Sequence, residues 1–343
     1  MFTKPILFII FNRPRTTKKV FEVIRKIKPT QLFIAADGPR RTKEGEKIIC
    51  DQTRSLVLNM IDWPCKVTSL FLEENIGCGK AVCNAITWFF DHVDEGVILE
   101  DDCLPDLSFF SYCSTLLERY RFNDKIMHIG GNNFQFGIKR GDGDYYYSFF
   151  SHNWGWATWK RAWKYFEYDL EGQKKLIRKI YKVSFKHNKS FIKFLDNRFP
   201  EIRLPQNHIW DIQWHFSLVK NTGIAIIPNQ NLVQNIGFGN DGTHTLNEED
   251  WNTQNIAQRL KSFSQPSVIK IDSEADYYTM QKIFKVNDRY PIKSIYLRLK
   301  EHLVDSGLIF FKLSTTAIKL ILPSFIWNQI KFRVGRFRKF KID

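Results

Sequence analysis

Three consecutive carboxylates, Glu100-Asp101-Asp102, follow directly on the apolar run Val97-Ile98-Leu99. Like charges this close repel, and a divalent cation among them relieves the cost. Hard oxygen ligands suit Mg²⁺ or Mn²⁺, and such an ion can be shared with the phosphates of a substrate. The same residues also fit an acidic turn that caps the next helix through Asp102 or Asp106. The all-apolar strand before them and the polar loops at equivalent strand ends favour the metal. A second pattern, Asn75-Ile76-Gly77-Cys78-Gly79-Lys80, invites comparison with phosphate-binding loops. It is not a Walker sequence, because Glu74 stands where the first Gly belongs and Ala81 where Ser or Thr follows the Lys. Nor is it a dinucleotide fingerprint, since Val82 replaces the third Gly. What remains is a glycine turn opening a helix, either a plain turn or one whose free N–H groups and Lys80 meet a phosphate or a sugar ring. Farther on, His244 in Gly239-Asn240-Asp241-Gly242-Thr243-His244 either closes over a diphosphate or metal or is an unligated loop histidine.

These groups need elements to position them. Short apolar runs alternate with helical patterns: Ile6 to Phe11, then Thr16 to Lys26; Leu32 to Ala36, then Lys43 to Met60. Lys66 to Leu72 precedes a helix from about Lys80 to Phe90, and Gly96 to Leu99 one from about Leu107 to Tyr120. Four strand-helix units in series predict a mostly parallel sheet with helices on both faces, and ligands beyond the carboxyl ends of its strands. From Tyr145 the texture turns aromatic, with a strand over Tyr145 to Phe150 and Trp154, Trp156, Trp159 and Trp163 close together. A Lys-rich helical stretch spans about Asp169 to Lys193, a short strand Ile224 to Ile227, and a glycine-studded loop Asn235 to His244. The expected organisation is an α/β half over 1–130, an aromatic-rich half of the same domain over 131–290, and a helical tail over 291–343.

The 343 residues carry 51 Lys+Arg against 36 Asp+Glu, a net charge of +15, with 43% hydrophobic residues. That composition is globular and excludes disorder for most of the chain. Six Cys in no C-x-x-C pair, with no secretory peptide before them, read as reduced thiols of a cytosolic protein. Lys312, Lys319 and Lys331 interrupt the apolar C-terminal region, so a membrane-spanning helix is not expected. Apolar residues interleaved with Lys, ending in a basic run from Lys331, suit a helix lying on anionic lipid at the inner face of the cell membrane, or else a helix that completes the core or contacts a partner.

The combination FNRP, ADGPR, ENIGCGKA and LEDD, each after one of the first four strands, resembles the GT-A class of nucleotide-sugar-dependent glycosyltransferases. The run ILEDDCLPDLSFFSY is similar to a stretch of the N-acetylglucosaminyltransferase I family, and the chain over about 4–245 resembles the bacterial hemolytic protein HlpA-like sugar transferases. The resemblance implies a Rossmann-like GT-A fold, a Mn²⁺ or Mg²⁺ cofactor and a nucleotide-sugar donor, uridine-linked. It implies that Asp37 touches uracil, that Asn12 and Arg13 line the nucleotide pocket, and that Asn75, Gly77 and Lys80 lie near the donor sugar or its phosphates. Asp102 would bind the metal, with Glu100 and Asp101 facing nucleotide and sugar. The family places a catalytic acid in an aromatic segment after the metal motif, and Asp211, between Trp210 and Trp214, matches, with Glu201, Asp169 and Asp241 as substitutes; a structural Asp buried between two Trp is the alternative.

The segment Ser151 to Trp159 resembles the family's acceptor stretch. A period of two puts Trp154 and Trp156 on one strand face for sugar stacking and leaves Trp159 and Trp163 to packing. The implied activity is inverting transfer to a hydroxyl of a surface glycan or lipid-linked oligosaccharide, because one base and no covalent nucleophile are visible. Two competitors stand beside it: a sugar nucleotidyltransferase, which favours a Gly-rich loop that Asn12-Arg13-Pro14-Arg15 lacks, and a non-enzymatic basic protein bound to polyanions or membranes. Nucleic acid is not the expected partner.

Overall fold

Ile6–Ile10 (β1) is buried along its whole length, as a parallel strand covered on both faces must be. The computed structural model describes residues 1–170, 172–185, 188–202, 209–237, 255–260 and 263–286. His244, Asp241 and the tail expected over 291–343 lie outside these residues. After β1 come α1 (Pro14–Ile27), β2 (Gln31–Ala36), α2 (Glu46–Asn59), β3 (Lys66–Phe71), α3 (Cys78–His92), β4 (Glu95–Glu100), β5 (Cys103–Pro105) and α4 (Leu107–Arg119). Then follow β6 (Ile126–Gly130), β7 (Tyr145–Ser148), β8 (Trp156–Trp159), α5 (Lys160–Trp163), α6 (Lys174–Ser184), α7 (Lys189–Ile202) and α8 (Asp211–Lys220). The series ends with β9 (Ile224–Pro228), β10 (Val233–Asn235) and α9 (Ser273–Lys282).

Eight strands form one sheet in the order β3-β2-β1-β4-β8-β6-β9-β7. The first four pair in parallel, as do β6 and β9, while β8 and β7 run antiparallel to their neighbours. This is the mostly parallel, helix-flanked, Rossmann-like sheet that the strand-helix alternation predicts. Residues alternate between its two faces: Ile6, Phe8, Ile10 and Leu99 join α1 and α4 in one core, while Leu7, Ile9, Phe33 and Ile98 join α3 and α8 in the other. Local signals agree with the elements. Pro14 opens α1, where a missing N–H costs nothing, and Asp106 caps α4 by accepting from Ser108 N–H at 2.8 Å. Asp106 is thus the cap of that helix, leaving Asp102 for other contacts.

The Lys-rich helical stretch comprises α6 and the start of α7. Trp159 and Trp163 stand at helical spacing, yet Trp159 lies in β8 and only Trp163 is in α5, because tertiary pairing of β8 with β4 and β6 overrides the local pattern.

The aromatic half packs Phe149, Phe150, Tyr181, Phe185 and Phe191 into a third cluster that Met280 of α9 joins. Asp276 of α9 is 2% exposed and accepts from Ser148 Oγ at 2.6 Å and from Phe149 N–H at 3.1 Å. Burial lifts its carboxyl from 3.8 to about 7. An acid whose folded pKa exceeds its unfolded one holds its proton better when folded, so its contribution to stability falls as pH rises from about 4 to 7. Asp276→Asn, which keeps an acceptor oxygen, is expected to flatten the thermal stability profile over that window. An unchanged profile would remove Asp276 from this role. No described helix is long and apolar enough to cross a membrane.

Candidate functional site

A cavity of about 780 Å³ opens at the carboxyl ends of β1, β2 and β4. Parallel strands all deliver their following loops to one edge, so groups far apart in sequence converge there. The lining includes Asn12, Arg13, Asp37, Asn75, Gly77, Glu100 and Asp101, bringing together residues from four loops that the motifs singled out. Lys80 is different: it is exposed on α3 and does not line the cavity, because the helix turns its third residue to solvent. The part of that turn that lines the cavity is the backbone at Gly77 and Cys78; Gly77 N–H is taken by Asp37, whereas the opening N–H groups of α3 itself have no helical acceptor.

Arg13 lies between two of the three acids. Its Nη1 donates to Asp102 Oδ2 at 2.9 Å and approaches Asp101 Oδ1 at 3.4 Å. The other oxygen of Asp101 accepts from Phe11 N–H at 3.2 Å, so this carboxylate also fastens the loop after β1. The Glu100 carboxylate makes no hydrogen bond or ion pair among the described residues. Burial first, then Asp102, Asp101 and Asp211, drive its proton affinity well above the ordinary carboxyl range. Asp101 is pushed up to about 7, again by burial and then by Asp102. Three carboxyl groups share one guanidinium in a desolvated place, and the crowding is relieved by protons on Glu100 and Asp101 or by a cation.

Among the described residues no three His, Cys, Asp or Glu converge to hold a metal unaided. The donor set nonetheless fits Mg²⁺ or Mn²⁺ in the way that suits these ions, one or two carboxylates completed by substrate phosphate oxygens. The segment after β10 closes on the same acids: Ile236 N–H donates to Asp102 O at 2.8 Å, and a Cβ at Gly237 would stand 2.4 Å from Asp102 Oδ2. Gly237 is therefore the residue type that lets this strand end lie against the carboxylate. The Gly-rich pattern from Asn235 was the available signal.

Asp37 requires a correction. The resemblance has it touching a base, but its carboxylate is filled by protein donors. Oδ1 accepts from Gly38 N–H at 2.8 Å and Ile76 N–H at 3.0 Å; Oδ2 accepts from Asn75 Nδ2 at 2.8 Å and Gly77 N–H at 3.1 Å. A carboxylate has about four lone-pair directions, and all are used. Asp37 ties the loop after β3 to the end of β2, and Asn75 is its partner in that tie.

The tryptophans also divide differently. Trp156 is 1% exposed, stacked on His128 at 5.1 Å and on Trp210 at 5.8 Å, so it has no face to offer a sugar. Trp154 is half-buried against Phe134 at 5.2 Å and packs with the core on the opposite side of the sheet. The period of two fails between them because Gly155, at φ +61°, bends the chain before β8 begins. Trp154 thus stays the only one of the pair with accessible surface.

Asp211 is exposed at the first position of α8, whereas its neighbours Trp210 and Trp214 are buried, so the buried-Asp alternative does not apply. Its charge is felt at Glu100 and at Cys83 of α3. Sequence reasoning missed Glu46, buried at the start of α2, which holds both Asn12 and Arg40 at the cavity wall. Its only trace in the sequence is an acid near a helix start.

No family model and no curated protein matches the chain. Among solved structures, it is similar to HddC from Yersinia pseudotuberculosis at 11% identity and TM-score 0.28, over 46% of this chain and 77% of that one. The same protein complexed with GMP-PN gives 11% and 0.29 over the same shares. S. aureus TarS 1-349 gives 8% and 0.36, over 67% of this chain and 59% of the TarS chain. Likenesses this distant leave function to be argued from the site.

Proposed function

We propose that this chain is a glycosyltransferase that moves a sugar from a nucleotide diphosphate donor, uridine-linked, to a hydroxyl of a bacterial surface glycan or lipid-linked oligosaccharide. The observation that carries the proposal is the meeting at one cavity of Glu100, without a hydrogen bond or ion pair among the described residues, of Asp101 and Arg13, and of the open end of α3, with Asp102 held just behind the lining by Arg13 and Asp211 close enough to influence Glu100. A diphosphate brings the oxygen ligands that the acids lack, and the helix end and Arg13 favour its negative charge.

Asp102 would hold a Mn²⁺ or Mg²⁺ ion together with those phosphate oxygens. When bound, the ion supplies charge neutralisation for the departing diphosphate. The chain's own residues do the rest. The loops after β1 and β3 hold the nucleotide. Asp211 accepts the proton of the acceptor hydroxyl as its oxygen bonds to the anomeric carbon and the bond from that carbon to the phosphate oxygen breaks. A single attack of this kind inverts the anomeric centre.

The test is thermal stability of the full chain with UDP, with Mn²⁺, and with both. At 100-fold saturation a ligand stabilises by about 2.7 kcal/mol, a rise of several degrees, and that rise is expected only for the pair. No rise with any nucleoside diphosphate in the presence of metal would overturn the proposal.

A further inference from the structure

Glu46 is 4% exposed and lies at the first position of α2, with no direct role in the transfer proposed above. Its Oε1 accepts from Asn12 Nδ2 at 2.9 Å and from Arg40 Nε at 3.0 Å; its Oε2 accepts from Arg40 N–H at 2.7 Å and from Arg40 Nε at 2.9 Å. Arg40 Nη2 closes the pair as a second prong. One buried carboxylate thus joins the loop after β1 to the loop after β2. It also orients both partners. A carboxylate only accepts, so Asn12 must turn its amide nitrogen toward Glu46, which leaves Oδ1 directed elsewhere. Arg40, gripped along one edge, lies with its guanidinium over the Phe11 ring, 5.5 Å from the centroid. Phe11, Asn12 and Arg40 all line the cavity.

We infer that Glu46 is a positioning residue for a nucleobase wall, in which a flat heterocycle stacks on the Phe11–Arg40 pair while the Asn12 amide reads its edge. This rests on the reading of the cavity as a nucleotide site. The wall also discriminates between bases. Guanine presents two adjacent donors, N1–H and the 2-amino group, whose natural partner is a carboxylate with both oxygens free. Glu46 behind this wall and Asp37 beside it are both filled by protein donors, and Glu100, the open carboxylate of the cavity, stands apart from them at the end of β4. Uracil presents one N–H between two carbonyl oxygens. Asn12 Oδ1 suits the N–H, and the donors of Lys43 and Gln52, which line the cavity and make no side-chain hydrogen bond among the described residues, suit the carbonyls. The wall therefore selects uracil over guanine, by residues other than the filled Asp37.

Calorimetric titration of the full chain with UDP, GDP and inorganic pyrophosphate, all with Mn²⁺ present, tests this. Wild type is expected to bind UDP at least 10-fold more tightly than GDP. Glu46→Gln, which removes the charge that grips Arg40, is expected to weaken UDP about 10-fold, leave pyrophosphate within 2-fold, and narrow the UDP-to-GDP ratio. Equal losses for UDP and pyrophosphate would reduce Glu46 to a structural role, and an unchanged UDP affinity or a wild type that favours GDP would refute the wall. Wild type that binds pyrophosphate but no nucleotide better than pyrophosphate also refutes it, whereas failure of all three ligands overturns the nucleotide site itself. If Glu46→Gln does not fold, Phe11→Leu, which leaves the Glu46–Arg40 pair in place, is expected to show the same selective loss for UDP, and its absence refutes the stack.

Discussion

Asp211→Asn is expected to lower sugar transfer by about 10² to 10⁴ while leaving the affinity for nucleoside diphosphate within a factor of two. The reasoning is local. Asn has nearly the shape of Asp, and the Asp211 side chain makes a hydrogen bond that Asn can also make, with Oδ1 accepting from Ile212 N–H at 2.9 Å. Helix α8 should therefore start in the same place. What the variant loses is the ability to take a proton from an attacking hydroxyl, at a helix N-terminus that favours negative charge. Single-turnover transfer, measured beside equilibrium nucleotide binding, separates the two effects. Normal turnover in the variant would move the base elsewhere.

Asp37→Asn is the second large effect, and it falls on both stability and binding. The substitution replaces one acceptor oxygen with an NH₂ group that must face N–H donors from Gly38, Ile76, Asn75 or Gly77. Leaving buried donors unpaired costs about 1–3 kcal/mol each, so a loss of about 2–4 kcal/mol is expected, with a fall of several degrees in melting temperature. Because Gly77 and Asn75 line the cavity, nucleotide affinity should fall with it. A variant of full stability that loses only uridine binding would restore the base-contact role that the filled carboxylate argues against.

The difference between the motif's implication and the structure at Asp37 shows where sequence reading runs out. That an acid ends β2 is legible, since the apolar run Leu32 to Ala36 stops at it. Whether it meets a ligand or the neighbouring loop depends on how far the β3–α3 loop folds back, which is a tertiary distance. Trp156 is similar. Its place in an aromatic cluster can be read directly, but its burial depends on His128, Trp210 and Trp214, which arrive from β6 and from the segment that opens α8.

Glu46 is the opposite case, a residue with no motif around it whose importance appears only once two loops meet at its carboxylate. The strands β6 and β8 show the same limit at the level of the fold. Each is short, and β8 is inserted antiparallel between β4 and β6, an arrangement that no local periodicity announces.

By itself the sequence determined the four strand-helix units, the sheet class and the edge at which polar loops gather, because each follows from local period and from the rule that parallel strands end together. Only the tertiary structure decided which carboxylates were open and which were filled. Hydrogen-bond saturation is a property of distances between segments remote in the chain: Arg13 reaches Asp102 across 89 residues and Asn75 reaches Asp37 across 38. Side chains of one chemical type, Glu100, Asp37 and Glu46, were thereby given different work by their partners.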